Sequence, residues 1–414
     1  MRRPTHARTG LQHLLVLAIA STACSSQDAA PILEDCPLSK EESTERPPIF
    51  EAEKIYNVPI RTPASDPING GGVHSMFLDE SGVASFTTTS YVRASLDGEL
   101  LSTLPYRGIY TVKQADGVYG AAIASAENVA QGEFCLFSQD GTLASCQPAL
   151  GREFAWRTPN FYFPFVENRQ HPGGPLEFVE VSKEGVVGTR HQILPGEIFK
   201  HGAIRVLATD AGFLLDQDNR TPEEDPECET SETTHLSVEL QAQTAWASTV
   251  PLGYSTARVR NGYTASSPNV IVSVRGARIC RESITANTCA YRNEGVAVVN
   301  FNNLATGEQT LRYGEQYYAD SVTWDGRYFV LYQIAENGIS IATFTTETGE
   351  IVGIATWEEG SFVQFSPGKI AAAAPGDYII NYSINGLEPQ DRLGRVRITL
   401  PDEPMPNSAN SAKL

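Results

Sequence analysis

The chain has 414 residues and a formal net charge of −18, from 31 basic and 49 acidic side chains. Such a surface repels phosphate and offers no counterion release on binding it, so a nucleic-acid partner is not expected. With 41% apolar and 19% charged residues a large core is available, and 34 Gly with 25 Pro favour strands and turns over helices.

Residues 1–23 read as an export signal. Arg2, Arg3 and Arg8 precede the apolar run Leu14-Leu15-Val16-Leu17-Ala18-Ile19-Ala20, far shorter than a membrane-spanning helix. Loss of this segment leaves 28 basic against 49 acidic residues. Ser21-Thr22-Ala23-Cys24 resembles a bacterial lipobox, with Ser21 where leucine is commonest. That resemblance implies lipidation (palmitate among the acyl chains) and cleavage before Cys24, with ordinary signal-peptide cleavage as the alternative. Several acyl chains on Cys24 would hold the protein on a membrane. Ser25-Ser26 lacks the aspartate that retains such proteins at the inner membrane, which implies the outer membrane, on its periplasmic or surface side. Residues 24–48, rich in Ser, Glu and Pro, read as a flexible tether, and 401–414 as a disordered tail.

Residues 49–400 carry a repeat. Asp97-Gly98, Asp140-Gly141, Glu184-Gly185, Thr306-Gly307 and Thr348-Gly349 each separate two alternating apolar stretches. Their glycines are 43, 44 and 42 residues apart, with one gap of 122. A second series lies in the same phase: Asp79 to Gly82, Asp116-Gly117, Asp210 to Gly212, Asn261-Gly262, Asp325-Gly326 and Pro367-Gly368, with Pro159-Asn160 at the missing place. A period in the forties built from hairpins predicts an all-β fold, a β-propeller of four-stranded antiparallel blades. Seven blades are expected, beginning near Val73, Gly108, Glu153, His201, Thr256, Tyr318 and Ser361; six and eight are the alternatives. The closing strand could come from Ile49 to Ile60 or from the other terminus.

Trp324-Asp325 resembles the dipeptide of WD40 repeats, though it occurs once and in a first turn. Thr348-Gly349 with Trp357 resembles a fragment of a quinoprotein blade. As a whole the chain resembles bacterial β-propeller lipoproteins.

Six further cysteines suit an oxidising compartment. Cys135 and Cys146 are symmetric about Asp140-Gly141, so a two-residue hairpin places them opposite each other in a hydrogen-bonded pair, about 5.5 Å apart. Cys280 and Cys289 would staple the neck of a loop, and Cys36 and Cys228 pair by elimination. No Cys-x₂-Cys or His-Glu-x-x-His spacing points to a metal, and no cofactor motif is present.

Candidate sites come from excess length. Blades four and five exceed the period between their second and third strands, at about 217–233 and 276–292. The first of these loops is acidic (Glu223, Glu224, Asp225, Glu227) and the second carries Arg278 and Arg281. Adjacent long loops on a rigid scaffold are the expected place for a protein or glycan ligand. Asp216, Asp218 and Glu227 match an EF-hand at its first, third and twelfth positions, but Thr221, Pro222 and Pro226 break the pattern. The primary expectation is therefore a membrane-anchored binding module. The alternative is a carbohydrate- or lactone-active hydrolase or lyase using carboxylates or His201 in the central channel.

Overall fold

The computed structural model describes residues 46–401 except for 61–72, 124–131, 167–175, 195–203, 220–227, 237–241, 252–259, 292–295, 360–363, 386–389 and a few gaps of one or two residues. The first sheet runs Val73–Asp79, Gly82–Thr87, Ser90–Ala94, Leu100–Pro105, each strand antiparallel to the last. The second runs Ile109–Ala115, Val118–Ile123, Glu133–Ser138, Leu143–Pro148, and the third Ala155–Arg157, Asn160–Val166, Leu176–Ser182, Val187–Leu194. The fourth contains Ile204–Thr209, Gly212–Asn219, Cys228–Leu236, Ala242–Pro251. The fifth contains Arg260–Ser266, Val270–Ala277, Val296–Asn303, Gln309–Tyr313. The sixth contains Ser321–Trp324, Phe329–Ile334, Ile339–Thr345, Ile351–Glu358, and the short strand Ile49–Phe50 adds to its edge in parallel.

The last sheet settles which end closes the ring. Lys369–Ala374, Asp377–Asn385 and Gln390–Ile398 supply three strands, and the N-terminal strand Ala52–Ile60 pairs antiparallel with Gln390–Ile398 as the outermost. Inner strands touch around a common axis: the first against the second, the second against the third, the third against the fourth, the fifth against the sixth, the sixth against the last, and the last against the first. This is the β-propeller arrangement of antiparallel, four-stranded blades.

Each blade is a meander, so the axis has two unlike ends. The turns after first and third strands lie at one end. The connections after second strands, and those between blades, lie at the other. We refer to these as the tight-turn face and the loop face.

The glycines of the tight turns have positive φ throughout: +86° at Gly98, +84° at Gly141, +85° at Gly185, +72° at Gly307 and +78° at Gly349. The loops are longer than the two residues expected. Ser138 N donates to Thr142 O and Gly141 N to Ser138 O, a three-residue turn with glycine in the left-handed position. Ser95–Glu99, Ser182–Val186 and Thr346–Glu350 repeat it. The opening hydroxyl caps the turn: Ser182 Oγ accepts from Glu184 N and Val186 N, and Thr346 Oγ1 from Thr348 N and Glu350 N.

These turns also clasp neighbouring blades. Tyr91 Oη of the first sheet donates to Gln139 O in the second sheet's turn at 2.7 Å. Tyr317 Oη donates to Gly349 O at 2.8 Å, and Arg312 Nη2 to Thr348 O at 3.1 Å. A Cβ on Gly349 would meet Phe301, one on Gly98 would meet Tyr56, and one on Gly141 would meet Tyr91. Close approach, as much as backbone angle, requires glycine there.

Two turns of the other series are misplaced. Asn261-Gly262 lies within the strand Arg260–Ser266, at a register shift, and the turn falls after Ser267. Pro367-Gly368 precedes its strand, and the turn is at Pro375-Gly376, where φ of Gly376 is +79°. In both cases a second turn-forming pair sits within one strand length of the first, and the apolar pattern of the following strand decides between them. The Pro159 turn holds, with a cis Thr158-Pro159 bond.

Aromatic layers fill most inter-blade spaces. Phe86, Tyr91, Tyr119 and Phe137 pack between the first two sheets, and Phe134, Phe154, Phe161 and Phe163 between the next two. The space between the last two holds Tyr332, Phe344, Trp357, Tyr378 and Tyr382. At the junction of the fourth and fifth sheets, the described residues include buried Leu214 and Ile271 with Leu207 and Leu304 packed against them. The same face of the fifth sheet carries buried Ser273, Asn300 and Asn302.

Candidate functional site

The two long connections leave adjacent blades on the loop face, as expected, but neither is a plain loop. Gly212–Asn219 and Cys228–Leu236 remain paired out to Asn219 opposite Thr230, beyond the end of the inner strand at Ile204 opposite Gln217. Thr230, Thr233 and Thr234 have the branched side chains that suit this extension. In the fifth sheet, pairing runs to Ala277 opposite Val296, and the insertion then forms its own two-stranded sheet, Cys280–Thr285 with Thr288–Tyr291. Two hairpins thus extend from neighbouring sheets on the loop face. Glu223, Glu224, Asp225, Glu227 and Arg278 lie outside the described residues, as do Cys24, Cys36 and His201. Arg281, Cys280 and Cys289 fall on the small hairpin's strands and Cys228 on the fourth sheet; their side chains lie outside the described residues.

Cys135 and Cys146 are bonded, with Cα atoms 4.1 Å apart. That spacing belongs to a narrow, non-hydrogen-bonded pair rather than the wide pair expected. The reason is local: the three-residue turn sets Phe137 opposite Leu143, and a bulge at Ala144 then restores Cys135 opposite Cys146. Glu133 stands near both sulfurs, but an oxidised pair offers no thiolate to a metal.

The central channel carries charge that sequence reasoning missed. Lys113 lies on the second sheet's inner strand, and Lys369 on that of the last sheet, after the short strand Gln364–Phe365 that pairs with the same neighbour. Glu153 and Asp320 stand just before the inner strands of the third and sixth sheets. Burial pulls Lys369 down to about 8; Asp320 opposes that fall and Lys113 adds to it. Burial likewise lowers Lys113, opposed by Glu153. Asp320 and Lys369 come from neighbouring inner strands, as do Glu153 and Lys113, and the influence of Lys113 on Lys369 links the two pairs. Both lysines keep partial solvent access while being enclosed by protein, as in a narrow passage.

A second polar cluster closes the ring. The buried Glu359 carboxylate accepts from Trp357 Nε1 at 2.5 Å, Ser340 Oγ at 3.0 Å, Asn57 Nδ2 at 2.9 Å and Tyr382 Oη at 3.1 Å. Lys54 Nζ is 3.1 Å from Oε2, the oxygen that Asn57 and Tyr382 also bond. Two of these partners, Lys54 and Asn57, belong to the N-terminal strand, so the cluster fastens that strand to the sixth sheet. Asp325 does similar work at the tight-turn face. Its Oδ1 accepts from Arg327 N and Tyr328 N, and its Oδ2 from Tyr378 Oη of the last sheet. The Trp324-Asp325 dipeptide therefore caps a first turn and bridges two blades.

No protein-family model and no curated protein matches the chain. Among solved structures, the Pan2 WD40 domain of Neurospora crassa is similar to it, with a TM-score of 0.52 at 8% identity, over 85% of this chain and 97% of that one. The β-propeller domain of the Trilobed protease of Pyrococcus furiosus aligns with a TM-score of 0.44 at 9% identity, over 81% and 100%. A protein of unknown function from Bacteroides caccae aligns with a TM-score of 0.35 at 11% identity, over 70% and 100%. At such identities the Pan2 likeness speaks to fold alone: the chain is an all-β protein with a β-propeller fold.

Proposed function

We propose that this protein is a membrane-anchored, extracytoplasmic binding module whose propeller presents a protein or glycan site on its loop face. The observation that carries the reading is the pair of projecting hairpins from the fourth and fifth sheets. They are adjacent, rise from a rigid ring, and have no counterpart among the described residues of the other blades. Opposite charge on the two insertions, Glu223, Glu224, Asp225 and Glu227 against Arg278 and Arg281, suits a polar partner over an apolar one. Replacing 220–227 and 279–292 with short turns is expected to abolish partner capture from cross-linked membranes while leaving the thermal transition intact. Undiminished capture overturns the reading.

Anchoring rests on the lipobox-like Ser21-Thr22-Ala23-Cys24, and the expected outcome is loss of detergent-phase partitioning in Cys24→Ser. A seven-blade count is favoured by seven successive meanders, each with its own inner strand; class averages viewed along the axis would count them directly.

The hydrolase or lyase alternative draws support from Glu153 and Asp320 in the channel.

A further inference from the structure

The large apolar side chains left in water gather in one place. Among the described residues they are Ile49, Leu100, Leu101, Leu143, Val186 and Val187. Five of these six stand where the tight turns lead into the outermost strands of the first three sheets. Leu100, Leu143 and Val187 hold the same position, one residue past the pair that closes each turn: Ser95 with Glu99, Ser138 with Thr142, Ser182 with Val186. Their exposures are 44%, 48% and 51%. In the fifth sheet Gln309 follows the equivalent turn, and in the sixth Ile351 is half-buried. Scattered exposed aliphatics need no explanation, but three consecutive blades presenting them at one level form a ridge.

The ridge is continuous because each turn leans on the blade before it. A Cβ on Gly185 would lie 3.5 Å from Leu136 Cδ1 and 3.7 Å from Ser145 Oγ, which sets the third sheet's turn against the outermost strand of the second. Tyr91 Oη, bonded to Gln139 O, holds the second sheet's turn to the first. The edge strands Leu100–Pro105 and Leu143–Pro148 carry no charged residue, although charge is the usual guard of an exposed edge.

We propose that this ridge, on the tight-turn rim of the first three sheets, lies in the interface of a zwitterionic lipid bilayer and turns the loop face away from the membrane. The proposal rests on the anchoring reading above. The course of the N-terminal residues points the same way. Ile49–Phe50 runs parallel to Ile351–Glu358, with Ile354 N donating to Pro48 O, and Ile351–Glu358 starts at a tight turn. Residues 46–48 therefore approach the ring from the tight-turn side. At up to about 3.5 Å per residue, the stretch from Cys24 to Arg46 spans at most roughly 75 Å, so it keeps the ridge near lipid without orienting the body. Orientation falls to the ridge, whose burial in lipid removes apolar surface from water. Exposed Asp97, Glu99, Asp140 and Glu184 outnumber Lys183 in these turns, so anionic headgroups are disfavoured.

The test uses the full lipidated chain in phosphatidylcholine vesicles, with benzoyl-phenylalanine replacing Leu143, Val187 or, between the strands of the small hairpin, Asn287. Flotation reads anchoring. Intact mass after irradiation reads an added phospholipid, which is distinct from an adduct with a protein. Floated protein is expected to gain lipid several-fold more at Leu143 and Val187 than at Asn287. Leu100→Asp with Leu101→Asp, at exposed positions, should lower the Leu143 yield several-fold without altering flotation. Adding phosphatidylglycerol to the vesicles should lower it too. Equal yields at all probe positions, adducts with a second copy of the chain, or a yield raised by phosphatidylglycerol would each overturn the proposal while leaving anchoring in place. Failure to float would instead overturn the anchoring reading, and the orientation with it.

Discussion

Gly141 and Gly117 offer a matched test of how the blades are held together. Their φ values are +84° and +79°, so alanine at either position suffers the same backbone strain, about 1–2 kcal/mol. Their surroundings differ. A Cβ on Gly117 meets nothing within 4 Å, whereas one on Gly141 would stand 2.9 Å from Tyr91 Cγ and nearer still to Cδ1 and Cε1. Tyr91 cannot step aside freely. It is fully buried, packs edge-on against Phe86 at 4.9 Å, and donates its hydroxyl to Gln139 O in the same turn. Displacing it adds the loss of that hydrogen bond, about 1 kcal/mol, and repacking of about 1–2 kcal/mol. Gly141→Ala should therefore cost about 3–5 kcal/mol and Gly117→Ala about 1–2 kcal/mol. Tyr91→Phe, which removes the hydroxyl alone, should fall near 1 kcal/mol. Equilibrium denaturation midpoints compared at constant slope measure all three. Equal destabilisation by the two alanines would refute the clasp, because it would leave backbone angle as the whole explanation.

Other consequences can be tested on the same preparation. Burial raises the Asp391 carboxyl to about 6, against an ordinary value of 3.8, despite the hydroxyl that Ser383 donates to it. The folded state thus holds a proton that the unfolded state has lost, and stability falls as pH rises from about 4 to about 6. Asp391→Asn should flatten that interval in pH-dependent melts and stabilise the protein at neutral pH by up to about 3 kcal/mol. Glu359→Ala strands Lys54, Asn57, Ser340, Trp357 and Tyr382 at once and should cost about 3–5 kcal/mol, with hydrogen exchange rising first in Ala52–Ile60. Cys135→Ser with Cys146→Ser opens a bridge of sequence separation 11; its cost should stay below about 3 kcal/mol, since the hairpin turn persists, and is measured by the shift in denaturation midpoint.

The ring was legible because its period is written in residues with a conformational reason to be there. Gly98, Gly141, Gly185, Gly307 and Gly349 each need positive φ, and no local choice competes with them. The hydroxyl or amide that opens those turns, at Ser95, Ser138, Ser182, Asn303 and Thr346, was equally visible three or four residues earlier and would have set the loop lengths. Asn261-Gly262 misleads because the glycine marks a strand irregularity rather than a turn. Closure by Ala52–Ile60 follows from pairing between strands more than 300 residues apart, which no local pattern records. The hairpin insertions were located by length, but their strand character needed the register. Lys113, Glu153, Asp320 and Lys369 carry no motif, and only the order of the sheets around the ring brings each acid near a lysine. Glu359 was hidden for the same reason, its partners lying both near it and about 300 residues away.

The central claim is that partners meet the loop face at the paired hairpins. A photo-reactive benzoyl-phenylalanine placed at Asn287, between the strands of the small hairpin, and separately at Asp140, in an exposed tight turn, tests it on intact membranes. The account predicts a covalent adduct of higher mass from the Asn287 position and none from Asp140. Adducts from Asp140, or none from Asn287, would contradict it.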